Sequence, residues 1–179
     1  MKYVAILRGI NVSGKNLIKM DALRKMVENL DFKAVKTYIQ SGNVLFEGKV
    51  GNTDVIAKRL QSALLSTFEL EVPVLVLTKI EFETVVENNP FLNDLEKDEK
   101  FFHVTILGNE IDSKLFQQVE EKHAENEVIK FFNKSVYLYL PNGYGNKKVT
   151  NTFIEKKLKN TATTRNWKTC LELKKLLEI

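Results

Sequence analysis

The chain has 179 residues, of which 44% are hydrophobic and 28% are charged, and its net charge is +4. This length supports a hydrophobic core without a metal or disulfide, and the one cysteine, Cys170, excludes an intrachain disulfide. No apolar run approaches the roughly 18 residues of a membrane span, and the N-terminus lacks a signal-peptide pattern, so we expect a cytoplasmic protein.

The charge is unevenly distributed along the chain. Residues 1–78 hold 11 basic and 7 acidic side chains, residues 79–130 hold 6 and 13, and residues 131–179 hold 10 and 3. A basic C-terminal third favours phosphate-bearing partners, whereas the acidic middle repels them. The alternative interpretation is a set of solvated helix faces of opposite charge.

Hydrophobic periodicity in residues 1–78 predicts six elements in the order β-α-β-β-α-β. Short apolar runs predict the strands, and apolar residues three and four positions apart predict the helices. These elements are strand Tyr3–Arg8, a helix from Met20 to Leu30, strands Val35–Ile39 and Val44–Phe46, a helix from Ile56 to Phe68, and strand Val72–Leu77. This order is the split unit of ferredoxin-like folds.

Residues 79–179 nearly repeat this order after a linking helix, Ile80–Glu87, and an acidic loop, Asn93–Lys100. The other predicted elements are strand Phe101–Leu107, a helix around Leu115 capped by Asp112 or Ser113, strands Val128–Phe132 and Val136–Leu140 around a turn at Asn133-Lys134, a helix with capping-box spacing at Thr152–Glu155, and a last helix from about Asn166 to Glu178. We therefore expect an α+β protein of two ferredoxin-like repeats, 1–78 and 79–179, packed as one compact body.

The first polar segment, Arg8 to Asn16, joins the first strand to the first helix. Its G-x-x-x-x-G-K spacing is that of a phosphate-binding loop, but Asn16 stands where that loop needs a Ser or Thr to hold magnesium. The next helix also begins too late for Lys15 to lie in its first turn. The pattern disfavours a nucleoside triphosphatase and favours a looser anion site formed by Arg8, Lys15 and the loop amides.

The second polar segment, Tyr38 to Asn43, connects two adjacent strands, so its amides and hydroxyl cluster at one end of the sheet. Two interpretations stay open. The segment contributes to a ligand site, or it is a tight turn in which Gly42 has a positive φ and Asn43 bonds its own backbone.

The third polar segment has two parts, Gly143–Lys148 and Thr163–Trp167, and both are predicted to precede helices, whose N-termini favour anions. Arg165 can bind a phosphate or carboxylate bidentately, and Trp167 can stack on a base. The structural interpretation makes Trp167 a core anchor, and makes Thr164 and Asn166 helix caps. Both roles stay open for Arg165, whereas the apolar stripe of the last helix favours packing for Trp167.

Common catalytic and metal-binding patterns are absent from the sequence. His103 lies in a predicted strand, His123 lies late in a helix, and with one cysteine no zinc-site spacing exists. There is no G-x-S-x-G elbow, and Cys170 lies in a helix with no base evident beside it. We therefore predict no metal site, and we assign no catalytic residue and no cofactor.

Four motifs in order make the chain similar to a bacterial family of uncharacterised proteins, domain-of-unknown-function family 1697. Members of that family resemble A-L-L-R-G-I-N-V-G-G-K, Y-I-Q-S-G-N-V, P-x-G-x-G-x-S-K and A-T-x-R-N-W-x-T. The counterparts here are Ala5–Lys15, Tyr38–Val44, Pro141–Lys147 and Ala162–Thr169. Ser13 replaces a glycine and Asn146 a serine, which weakens a nucleophilic role at position 146. The resemblance implies an α+β fold of two ferredoxin-like repeats, and it implies no particular activity, substrate or cofactor.

Taken together, these patterns predict the binding of a phosphate-bearing ligand, a nucleotide or single-stranded nucleic acid, at a polar cluster from both halves. The expected ligand-binding residues are Arg8, Asn11, Lys15, Gln40, Ser41, Asn43, Lys147, Arg165, Asn166 and Trp167. Two alternatives stay open: a small enzyme acting on an anionic metabolite, and a structural or interaction module whose motifs only cap helices and fix turns.

Overall fold

The computed structural model of the chain describes residues 1–111, 113–120, 125–144 and 149–179. Its contacts divide into two compact units, formed by residues 1–84 together with 173–179 and by residues 85–172. The described residues contain two four-stranded antiparallel sheets and six α-helices, so the fold class is mixed α+β. In the residues that the structure describes, every helix is too short or too polar to span a lipid bilayer.

The first unit is built on a sheet with the strand order β2-β3-β1-β4. Its elements are β1 (Lys2–Leu7), α1 (Met20–Glu28), β2 (Lys33–Tyr38), β3 (Asn43–Glu47), α2 (Thr53–Phe68) and β4 (Val74–Thr78), and α3 (Lys79–Glu87) follows. Tyr3, Ala5 and Leu7 alternate along β1, and they belong to one buried cluster with the apolar residues of α1 and α2. This arrangement confirms the element order that the periodicity predicts for residues 1–78.

Strand β2 lies at an edge of this sheet and is irregular. Its pairing with β3 shifts register between Lys33 and Lys36, and Ala34 has a φ of 50°. The strand ends at Tyr38, one residue earlier than predicted, because Ile39 has a φ of 52° and starts the turn into β3.

The second unit has the equivalent strand order, β6-β7-β5-β8. Its elements are β5 (Phe102–Leu107), α4 (Ser113–Glu120), β6 (Val128–Phe132), β7 (Ser135–Tyr139), α5 (Asn151–Leu158) and β8 (Ala162–Asn166), and α6 (Trp167–Glu178) follows directly. Apolar residues of α4 and α5 belong to one buried cluster with those of the sheet. A 3₁₀ turn, Glu99–Phe101, interrupts the predicted acidic loop before β5.

Two predictions for this unit are wrong. Ala162–Asn166 forms strand β8, which pairs with β5 and places Arg165 opposite Val104, although the sequence predicts no strand there. Helix α5 is capped by Thr150, whose hydroxyl accepts from the Phe153 amide, so the cap is not Thr152. The predicted cap Asp112 lies outside the described residues.

Candidate functional site

The connection between β1 and α1 is a loop, residues 8–19, that folds back on itself. The Lys15 amide donates to the Val12 carbonyl over 2.9 Å, and the Asn11 amide donates to the Asn16 carbonyl over 3.1 Å. Positive φ values recur along it, at Gly9, Asn11, Ser13, Gly14 and Asn16. Glycine and asparagine tolerate this conformation best, which explains why this polar sequence forms a loop instead of extending β1.

Asn11 fixes the shape of this loop through its side chain. Its Nδ2 donates to the carbonyls of Gln40 and Ile18 over 2.9 and 3.0 Å, and its Oδ1 accepts from the Ile18 amide over 2.8 Å. These bonds tie the loop to the turn between β2 and β3. The first two polar motifs of the sequence therefore lie together in the first unit.

Gly42 allows the turn between β2 and β3 to approach the loop closely. Its φ is 78°, and its carbonyl accepts from the Leu7 amide over 2.8 Å. A Cβ at this position would lie 2.7 Å from Ile10 Cδ1 and 2.8 Å from Leu7 Cβ. Only glycine fits here without displacing its neighbours.

Asn43 is fully buried at the end of the same turn. Its Nδ2 donates to the Tyr38 carbonyl and to Ser41 Oγ, both over 3.1 Å. These contacts are those of a turn-stabilising residue. The carboxamide that the sequence marks as a ligand group is thus directed into the turn.

The accessible polar groups of this region lie on the loop and on the turn between β2 and β3. Lys15 and Gln40 are exposed, and Arg8 is half-buried. The amides of Ser13, Gly14 and Asn16 have no hydrogen-bond partner among the described residues.

An open groove of about 850 Å³ borders the loop. It is lined by the loop residues Asn11, Leu17 and Ile18, by Gln40 of the turn, and by the first turns of α1. The groove therefore brings an apolar surface and several polar side chains next to the loop.

In the second unit, Arg165 lies in β8 and its side chain is only 8% exposed. Its Nη1 donates to Thr163 Oγ1 over 3.0 Å and to the Thr164 carbonyl over 2.9 Å. Burial lowers the pKa of Arg165 to about 10, so the guanidinium keeps its charge at neutral pH. Part of its hydrogen-bonding capacity is used within its own strand.

The residues that follow Arg165 have structural contacts. Asn166 Oδ1 accepts from the Thr169 amide over 2.8 Å in the first turn of α6. Trp167 is 2% exposed, and its ring lies edge-on to Phe102 with 6.4 Å between the centroids. These observations agree with the packing role that the sequence favours for Trp167. Lys147 and the rest of 145–148 lie outside the described residues, as does His123.

A hydroxyl network that depends on β8 could not be predicted from the sequence. Thr105 Oγ1 and Thr164 Oγ1 lie 2.7 Å apart, and Thr164 Oγ1 donates to Asn151 Oδ1 over 2.9 Å. Beside it, the His103 ring stacks on Tyr144 with 5.2 Å between centroids, and burial lowers the pKa of His103. A prediction of β8 would have paired Thr164 with Thr105 and revealed the network.

The thiol of Cys170 is not placed for nucleophilic chemistry. It is fully buried, and burial raises its pKa to about 12. Among the described residues, no group of three or more His, Cys, Asp or Glu side chains is positioned to hold a metal ion.

Comparison with known proteins relates the chain to a family and to a fold. No curated protein matches the sequence significantly. The chain is similar in structure to the conserved bacterial protein SP0830 from Streptococcus pneumoniae, with 23% identity, 98% of each chain covered and a TM-score of 0.67. The model of a family described as proteins of unknown function, DUF1697, matches residues 1–137, which include the loop, the β2–β3 turn and the whole first sheet. The chain therefore belongs to the DUF1697 family.

Proposed function

We propose that this protein binds a phosphate-bearing ligand through the loop of residues 8–19. The observation that carries the proposal is that three neighbouring amides of the loop, at Ser13, Gly14 and Asn16, have no partner among the described residues. Two cationic side chains, Arg8 and Lys15, belong to the same loop. Backbone amides in turns with recurring left-handed residues form concave anion sites, and nearby cations strengthen them.

The loop differs from a magnesium-dependent phosphate-binding loop in two ways. Asn16 has no hydroxyl for a metal, and its Nδ2 donates to the Gly9 carbonyl over 3.0 Å, which closes the loop. Helix α1 begins only at Met20, so its N-terminal dipole does not act on the amides of the loop. Binding therefore relies on amides and side-chain charge, and the proposed function is binding without phosphoryl transfer.

The other polar residues of the first unit have supporting roles in this proposal. Asn11 holds the loop against the turn, and Asn43 together with Ser41 holds the turn itself. Gln40 is exposed and is available for direct contact with a ligand. Arg165, Asn166 and Trp167 of the second unit are not part of this proposal, which rests on residues of the first unit.

We also infer that residues 1–78 and 79–179 are ferredoxin-like repeats. Each contains the element order β-α-β-β-α-β, and the sheet orders β2-β3-β1-β4 and β6-β7-β5-β8 are equivalent when the strands of each repeat are numbered from one. This equivalence supports a duplicated ancestor.

The test is calorimetric titration of the full chain with inorganic tripolyphosphate. We expect Lys15→Gln to weaken binding about tenfold, because a charge-assisted contact to phosphate contributes roughly 1.5–3 kcal/mol. Lys58→Gln is the matched control, since Lys58 is exposed on α2 and outside the loop. Binding should also weaken as the salt concentration rises, because salt screens exposed charges.

Two results would contradict the proposal. One is the absence of any heat of binding at millimolar tripolyphosphate, which would favour the interpretation that the motifs only fix turns. The other is equal weakening by Lys15→Gln and Lys58→Gln, which would mean that the probe responds to net charge and not to the loop.

A further inference from the structure

We infer, building on the proposed function, that the ligand is a mononucleotide whose base occupies the groove beside the loop. The groove borders the loop and shares Asn11, Leu17 and Ile18 with it, so one molecule can contact both. The groove is open to solvent, and its volume is about 850 Å³. The groove therefore has room for one nucleoside.

The apolar part of the groove suits a flat ring. Leu17 lines it and is 69% exposed, although it is a large hydrophobic residue in a polar loop. Met20, half-buried at the start of α1, lies on the same lining. Covering these side chains with a base would remove apolar surface from water, which favours a ligand that has a ring over a bare polyphosphate.

The polar side chains of the groove can form hydrogen bonds with the edge of the base and with the ribose. Gln40 is exposed, and its Oε1 has only a 3.5 Å contact with Asn11 Nδ2, so its carboxamide can pair with the edge of a base. Asp21 also lines the groove with a side chain that is 89% exposed. A carboxylate in this position can accept hydrogen bonds from ribose hydroxyls.

The residues that line the groove argue against single-stranded nucleic acid as the ligand. Proteins that bind single-stranded nucleic acid stack successive bases on aromatic side chains. The described residues that line this groove include no aromatic side chain. One ring lying on the aliphatic side chains of the groove is therefore the better match.

The experiment compares adenosine, guanosine, cytidine and uridine triphosphates with inorganic tripolyphosphate, by calorimetric titration of the full chain. We expect at least one nucleotide to bind about tenfold or more tightly than tripolyphosphate, because its base adds apolar contact with the groove. Leu17→Ser should remove that difference between the nucleotide and tripolyphosphate. Val55→Ser, at an exposed valine on α2, is the matched control and should change neither affinity.

The outcomes separate the two proposals. If every nucleotide binds only as tightly as tripolyphosphate, the groove takes no base and this inference is overturned, while the phosphate site stands. If a nucleotide binds more tightly but Leu17→Ser and Gln40→Ala leave the advantage intact, the base lies elsewhere and the inference is again overturned. If neither kind of probe binds, the proposed function itself fails.

Discussion

Replacing Gly42 with alanine tests how closely the β2–β3 turn must approach the loop. The added Cβ would lie 2.7 Å from Ile10 Cδ1 and 2.8 Å from Leu7 Cβ. The Ile10 side chain can rotate away, but Leu7 Cβ is attached directly to the backbone of β1 and cannot. The turn must therefore move away from the loop, which also strains the hydrogen bond from the Leu7 amide to the Gly42 carbonyl.

The expected cost has two parts. Alanine at a φ of 78° costs about 1 kcal/mol relative to glycine because of left-handed strain. Overpacking against Leu7 and Ile10 adds roughly 1–3 kcal/mol. Gly14→Ala isolates the first part, because Gly14 has a φ of 74° but no atom within 4 Å of the added Cβ. We therefore expect Gly42→Ala to cost about 3 kcal/mol and Gly14→Ala about 1 kcal/mol.

The assay is urea unfolding of both variants, followed by circular dichroism, together with thermal unfolding. For a chain of this length, 1 kcal/mol corresponds to about 2–4 °C in Tm, so Gly42→Ala should unfold about 6–12 °C lower than the wild type. Equal losses of stability in the two variants would refute the reasoning, because the close approach would then contribute nothing beyond backbone strain.

Three further predictions concern single side chains. Asn11→Ala should lower the free energy of unfolding by about 1–3 kcal/mol in urea titrations, because three hydrogen bonds of its side chain are lost; an unchanged value would contradict its positioning role. Cys170, with its pKa raised to about 12, should react with a thiol reagent only when the protein unfolds, and rapid labelling of the native protein would contradict its burial. Burial holds the pKa of His103 below its usual 6.5, so the unfolded chain binds more protons near that pH and stability should fall as the pH decreases through it. His103→Gln should flatten this part of the stability profile, and an unaltered profile would show that other groups cause the fall.

The elements of the first unit could be predicted because their apolar residues follow the period of the structure. Leu23, Met26 and Val27 are all buried on α1, as the spacing of apolar residues predicts. The end of β2 could not be predicted, since the positive φ of Ile39 is imposed by the turn that follows it and not by the preference of isoleucine.

Strand β8 could not be predicted either, for a different physical reason. Its sequence, Ala-Thr-Thr-Arg-Asn, has no alternation of apolar and polar residues, yet Ala162, Thr163 and Arg165 are all buried. The strand is stabilised by pairing with β5 and by hydrogen bonds of Thr164 and Arg165 to their neighbours. Such long-range contacts leave little trace in a local pattern.

The candidate site was only partly predictable. The G-x-x-x-x-G-K spacing correctly identifies a loop that carries Arg8 and Lys15, because glycine and asparagine allow its left-handed turns. The sequence could not show that Asn11 and Asn43 use their carboxamides within the protein, because their partners are carbonyls and a hydroxyl brought close by folding. The groove could not be predicted either, because it forms where the loop and the β2–β3 turn meet α1.

The irregular pairing of β2 has a consequence for the behaviour of the protein at high concentration. An edge strand exposes a row of unpaired backbone groups on which a second molecule can add a strand and begin to aggregate. The register shift between Lys33 and Lys36 breaks the regularity of that row, and both lysines are exposed along it. A second chain that paired with β2 would have to follow an irregular strand and approach two ammonium groups. This edge of the sheet is therefore protected against self-association.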